Sequence, residues 1–230
     1  MSKIKNQRVW NKFWSSKSNI IRLTNIFRNY SVKIFVNYIK KFIKNKKVLI
    51  SEIGCGSGTT SITLSKYGNI IGLDYSPIVL KIAKQNLKKN QNSKNCYFVM
   101  GNALNLPFKE KCFDLVFSQG LVEHFENPIN LLEEKIRITK KYGYVINLIP
   151  SHHLFFRYWY KLVQKKHLRF LYPWRELMMP IKKVKKIYLN LKEYVMSHPS
   201  VKIEIVPDTF GLILAIIMKK GKDFNAFKYN

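Results

Sequence analysis

Val48-Leu49-Ile50-Ser51-Glu52-Ile53-Gly54-Cys55-Gly56-Ser57-Gly58 decides the fold class of this chain. The apolar run Val48-Leu49-Ile50 reads as a strand that enters a turn with glycine at every second position, and residues 59–67 then read as a helix. Glycines between a strand and a helix let backbone approach a ligand at the carboxyl edge of a sheet. The spacing Gly54-x-Gly56-x-Gly58 is not the GxGxxG of dinucleotide enzymes, and no Lys-Ser/Thr follows as a P-loop requires. A nicotinamide dehydrogenase therefore fits poorly. One acid, Glu52, stands just ahead of the turn. Another, Asp74, lies twenty residues past Gly54 at the end of the next expected strand, where a carboxylate can accept both hydroxyls of a ribose. With Ser76-Pro77 close behind, Asp74 also suits a helix N-cap or turn residue.

Working outward, the chain keeps a regular alternation. Residues 70–73 read as a strand, a helix opened by Ser76-Pro77 runs to about 89, and strands follow at 97–99 and 113–117. A helix at 128–139 and a strand at 144–149 complete the series. Strands and helices alternating at this length mean βαβ units and a parallel sheet with right-handed crossovers. Two further strands, 201–207 and 211–219, flank a short turn region and predict an antiparallel hairpin at the sheet edge. Upstream, Ile20, Leu23, Phe27, Ile34, Phe35, Tyr38, Ile39 and Phe42 recur at helical spacing over 20–44. The expected organisation is an N-terminal basic arm and helical cap (1–45) and one α/β domain (46–230), with an aromatic, lysine-rich insert at 151–198.

Composition bounds the function less tightly. The 230 residues include 41 Lys+Arg against 13 Asp+Glu, a net charge of +28. A hydrophobic share of 47% excludes a disordered basic tail. Such charge points to nucleic acid or an anionic membrane. Yet Lys outnumbers Arg 34 to 7, as drift toward A/T-rich codons would produce, whereas phosphate grips favour Arg forks. Three cysteines without CxxC spacing suit a reducing cytoplasm and neither a disulfide framework nor zinc. The N-terminus lacks a signal-peptide core, and the longest apolar run, 210–218, is about half a membrane span.

Four segments, VLISEIGCGSG (48–58), GLDYS (72–76), GNALNLPF (101–108) and FDLVFSQGLVEHF (113–125), together resemble the motif series of class I S-adenosylmethionine-dependent methyltransferases. The likeness is to the broad small-molecule branch called type 11 and covers roughly residues 47–150. It implies a Rossmann-like α/β fold: a seven-stranded, mostly parallel sheet in the order 3-2-1-4-5-7-6, strand seven antiparallel, helices on both faces. The hairpin read from the tail agrees with that independently. The resemblance also implies S-adenosyl-L-methionine as cofactor. Glu52 and the turn of Gly54, Gly56 and Gly58, with Cys55 inside it, would hold the methionyl end, and Asp74 the ribose. Tyr75 would lie along the adenine, Asn102 and Ala103 would meet its edge, and Gln119 would line the sulfonium region. Position 102 is a departure, because the family usually places Asp there. Asn still accepts through its carbonyl but without charge assistance.

Methyl transfer from a sulfonium is an in-line displacement on an activated donor, so the enzyme mainly aligns the reactants and excludes water. A base is needed only for an acceptor that holds its proton firmly. Glu123 and His124, after strand four, are the candidates; the alternative for each is a hydrogen bond within a structural turn. Ser118-Gln119-Gly120 stands where base-amine methyltransferases would carry Asn/Asp-Pro-Pro-aromatic, and no cysteine lies in strands five or six for the covalent pyrimidine route. Cys55, Cys96 and Cys112 read as packing residues. In the insert, His152, His153, Arg157 and Trp159 could line an acceptor pocket, although its aromatics also suit packing onto the sheet. Adjacent histidines are not metal spacing, so no metal is expected. Lys182, Lys183, Lys185 and Lys186, opposite an apolar stripe, read as a solvated face or a contact with an anionic membrane surface.

Three functions compete. The first is methyl transfer to an O, N or C atom of a small or amphipathic metabolite. The second is an RNA- or ribosome-directed methyltransferase, and the third a non-catalytic or membrane-surface protein on the same scaffold. The charge favours neither alternative strongly: residues 113–134 contain no Lys or Arg and five acids, while the excess lies in the flanks and insert.

Overall fold

The computed structural model describes residues 11, 32–33, 35–37, 39–43, 47–90, 94–125, 127–150, 189, 193, 201–207 and 213–220. Chain contacts divide it into two units, Met1–Pro107 and Phe108–Asn230.

In the first unit, β1 (Leu49–Ile53), β2 (Asn69–Asp74) and β3 (Cys96–Met100) run parallel in the order β3-β2-β1. Strand β1 reaches three residues beyond the expected apolar run because its polar side chains are satisfied in place. Ser51 Oγ donates to the Ile71 carbonyl at 3.2 Å, and Glu52 accepts the Ser61 hydroxyl. Helix α1 (Thr59–Leu64) follows the glycine turn, and α2 (Pro77–Lys88) joins β2 to β3. Ser76 caps α2, its hydroxyl accepting the Val79 N–H at 3.3 Å, with Pro77 at the first helical position. Val79, Leu80 and Ala83 form the buried face of α2 while Lys81, Lys84 and Lys88 face outward. Full burial of Val79 alone contributes about 1.5–3 kcal/mol. Upstream, Val32, Phe35, Val36 and Ile39 are helical and buried at the spacing expected of an amphipathic helix, which ends in a 3-10 turn at Lys40–Phe42.

In the second unit, β4 (Phe113–Gln119) pairs in parallel with β5 (Thr139–Pro150). Strand β7 (Ile213–Lys220) pairs antiparallel with β5 and with β6 (Val201–Pro207), in the order β4-β5-β7-β6. Each unit thus reproduces its own portion of the expected strand order, and the tail hairpin is present. Helix α3 (Ile129–Ile138) runs directly into β5. That strand begins five residues earlier than residues 144–149 suggested, through an irregular segment. Pairing steps from Phe113↔Thr139 to Leu115↔Tyr144, and Tyr142 takes a left-handed φ of 65°. The lysines that disguise this start are accommodated at the surface, where Lys140 Nζ lies 2.9 Å from Asp114. That half-exposed pair contributes about 0–1 kcal/mol.

The arm at 1–19 apart from Asn11, the insert at 151–198 apart from Leu189 and Glu193, and the hairpin tip at 208–212 lie outside the described residues. So do His152, His153, Arg157 and Trp159.

Candidate functional site

The polar centre of the first unit grows from the carboxyl ends of β1 and β2. Backbone turns sharply after Ile53, with Gly54 at φ 75°, Gly56 at φ 54° and Gly58 at φ 74°. Three left-handed residues in five positions require glycine. The Gly54 and Cys55 N–H groups both donate to the Leu73 carbonyl, at 2.7 and 3.0 Å, which fastens the turn to β2. Asp74 completes it: Oδ2 accepts the Gly56 N–H at 2.9 Å and Oδ1 accepts the Ser76 N–H at 3.0 Å. Burial raises the Asp74 pKa, and the N–H groups of Ser76, Gly56 and Tyr75 pull it back. Each carboxylate oxygen carries a second lone pair, so ligand hydroxyls can still be accepted. The Asp74 carboxylate therefore braces the turn, and Ser76, rather than Asp74, caps the helix.

Around this turn, Glu52 is buried, Tyr75 is exposed, and Gly54, Gly56, Asn102 and Ala103 are partly accessible. Asn102 Oδ1 accepts the Leu104 N–H at 3.0 Å, closing an Asx turn. Cys55 is buried, and desolvation first, then the charge of Glu52, raises its thiol pKa well above the ordinary value. It is a packing residue in the turn wall. Cys96 is likewise buried, its thiol pushed up to about 12 by burial. Two contributors had escaped the sequence reading. Ser61 meets Glu52 from α1, and Asn86 Nδ2 donates to the Ser57 carbonyl at 3.0 Å, clamping the turn from α2. A hydroxyl three residues past Gly58 was the available signal for Ser61.

In the second unit, β4 ends at the partly accessible Gln119. Gly120 follows at φ 64°, its N–H bonded to the Leu148 carbonyl of β5 at 3.1 Å. A 3-10 turn, Val122–His124, then carries both candidate bases. The His124 side chain is partly accessible, whereas Glu123 is buried. Burial raises Glu123 to about 7, opposed by its own backbone N–H and by the charge of Lys135. Lys135, on α3, is wholly buried and lowered to about 7 by desolvation, with Glu123 opposing the shift. Its Nζ donates to Ser118 Oγ and Asn147 Oδ1, each at 2.6 Å, and Ser118 Oγ donates to Asn147 Oδ1 at 3.2 Å. Glu123 Oε2 and Asn147 Nδ2 are buried without hydrogen-bond partners. Sequence reasoning missed Lys135 as part of this centre. The signal was a lysine within the buried stripe of Leu131, Leu132 and Ile138.

Comparison with known proteins accords with this geometry. A family model described as a methyltransferase domain matches residues 51–147. An uncharacterized methyltransferase of Schizosaccharomyces pombe is 35% identical over 116 residues, 47% of this chain and 41% of the relative. A demethylmenaquinone methyltransferase of Lactococcus lactis is 30% identical over 157 residues, 66% of this chain and 62% of the relative. The chain thus spans 41% and 62% of the lengths of these two curated relatives. Among solved structures, a putative S-adenosyl-L-methionine-dependent methyltransferase from Methanococcus maripaludis superposes with a TM-score of 0.63 at 23% identity, covering 84% of this chain and 86% of that one. Residues 51–147 thus match a methyltransferase-domain model, and the chain shares the fold of solved S-adenosyl-L-methionine-dependent methyltransferases.

Proposed function

We propose that the protein uses S-adenosyl-L-methionine to methylate an O, N or C atom of a small or amphipathic metabolite. The observation that carries the reading is the Asp74 brace across the Gly54–Gly58 turn, with accessible backbone at Gly54 and Gly56. The residues fit the cofactor, since Gly54 and Gly56 keep accessible backbone at the turn and the Asp74 oxygens keep acceptor capacity. When bound, the cofactor supplies a methyl group on an activated sulfonium.

In this reading Glu52 and the glycine turn hold the methionyl end, and Asp74 the ribose hydroxyls. Tyr75 covers the adenine, whose edge meets Asn102 and Ala103, while Gln119 lines the sulfonium side. Where the acceptor keeps its proton, His124 removes it, and Glu123 supports the turn from within. The small-molecule substrate in the name of the Lactococcus lactis relative supports a metabolite acceptor. His152, His153, Arg157 and Trp159 of the 151–198 insert are assigned to the acceptor pocket, and residues 1–45 to an arm and helical cap. No described helix is long and apolar enough to cross a membrane, and the three free cysteines suit the proposed cytoplasmic location.

Calorimetry with S-adenosylhomocysteine tests the assignment: wild type binds, and Asp74→Ala loses most of the affinity. Absence of binding by wild type overturns it. RNA remains the alternative acceptor because α2 presents Lys81, Lys84 and Lys88 on one outward face. That reading requires activity dependent on RNA and RNA affinity that falls steeply with salt.

A further inference from the structure

The glycine turn of the first unit has a partner from far outside its own motif. Asn11, a helical and half-buried residue, accepts the Ser76 hydroxyl on Oδ1 at 2.5 Å, across 65 positions of the chain. Ser76 is only 3% exposed, and a buried hydroxyl whose proton finds no acceptor is costly. That hydroxyl has one proton and two lone pairs. Its oxygen accepts the Val79 N–H to cap α2, and its proton goes to Asn11. The Ser76 N–H meanwhile donates to Asp74 Oδ1 at 3.0 Å, and Asp74 Oδ2 accepts the Gly56 N–H at 2.9 Å. Consecutive hydrogen bonds thus run from Asn11 to Ser76, to Asp74 and on to Gly56. The exposed Tyr75 stands between the two middle members. Capping explains the bond to Val79, and closure of the turn explains the bonds of Asp74. Neither requires an acceptor from residue 11.

We propose that Asn11 is a positioning residue for the candidate cofactor site. It holds Ser76 so that the Ser76 N–H stays on Asp74 and the carboxylate stays set for the ribose. The inference rests on reading Asp74 as the ribose acceptor; the run of hydrogen bonds itself does not. Coupling between two sites is reciprocal, so a contact that favours the cofactor is favoured by the cofactor to the same degree. The contact between Asn11 and Ser76 is therefore firmer when the cofactor is bound.

The test is calorimetry with S-adenosylhomocysteine on the full chain, comparing wild type, N11A and N11D. N11A should weaken binding by about 3–10-fold, the scale of one neutral hydrogen bond. N11D keeps an oxygen for the Ser76 hydroxyl and should stay within about twofold of wild type. A second measurement needs no variant. Saturating S-adenosylhomocysteine should slow tryptic cleavage of wild type after Lys12, the residue next to Asn11, by about the same 3–10-fold. Wild-type affinity in N11A, or equal losses in N11A and N11D, would show that Asn11 positions nothing. A cleavage rate after Lys12 that ignores the ligand would overturn the proposal too, and that result stands even where a variant fails to fold. If wild type binds no S-adenosylhomocysteine, the methyltransferase reading fails and takes this proposal with it. If wild type binds and N11A binds equally, this proposal fails alone.

Discussion

In Met1–Pro107 the polar centre is built mainly of backbone: three left-handed glycines, paired N–H groups on the Leu73 carbonyl, and one aspartate bracing the turn. In Phe108–Asn230 it is built of buried side chains, with Lys135, Ser118, Asn147 and Glu123 drawn from a helix, two strands and a turn. The first leaves Gly54 and Gly56 accessible; the second seals its charges away from water. Backbone donors and a half-buried carboxylate need little support from the rest of the fold, whereas a buried ion depends on every partner at once. The two centres should therefore fail differently, the first by losing ligand and the second by losing stability.

The largest effect is expected from K135M, which should lower unfolding stability in urea by about 3–5 kcal/mol because it removes two buried charge-assisted hydrogen bonds, to Ser118 and Asn147. The pH dependence should be equally distinctive. Glu123 is raised from 4.5 to about 7, so its contribution to stability is present below 4.5 and lost as pH rises through 7. Lys135 is lowered from 10.5 to about 7, so its contribution is present above 10.5 and lost as pH falls through 7. Together they predict a minimum near neutral pH in the pair's contribution, measurable as wild-type melting temperature minus that of the K135M/E123Q double variant. A flat difference would break the contrast between the two units.

Gly58→Ala should come next, costing on the order of 1–3 kcal/mol. Its Cβ would stand 2.4 Å from Phe98 Cζ at a left-handed φ of 74°. Adding Phe98→Leu should restore only the steric part of the loss in a melting experiment. Asp74→Ala should weaken S-adenosylhomocysteine binding by about 10–100-fold in calorimetry, the scale of a lost charge-assisted hydrogen bond. A stability loss as large as that of K135M would show that Asp74 matters chiefly as a brace. The smallest effect is expected from Asn102→Asp, which keeps an oxygen for the Leu104 N–H and, in the proposed binding mode, adds charge toward the adenine edge. S-adenosylhomocysteine should bind up to about tenfold more tightly.

The glycine turn, Asp74 and the alternating strands were legible because each is encoded within a few adjacent residues. Ser76-Pro77 marked the start of α2 for the same reason. The start of β5 was not legible, since Lys140 and Lys141 mask a strand whose irregular pairing with β4 depends on a distant segment. Asp74 proved to brace Gly56, a tie across 18 positions that no local pattern reports.

The sequence by itself determined the alternating strands and helices, the tail hairpin and the glycine turn, because local spacing and apolar periodicity specify those features directly. Only the tertiary structure decided that Lys135 is an interior residue and that Ser118 and Asn147 are its hydrogen-bond partners. In the sequence, a lysine beside two glutamates on a helix resembles any solvated charge. Its burial follows from the side chains that β4, β5 and the turn bring around it, and that burial is what makes its charge costly and its proton responsive near neutral pH.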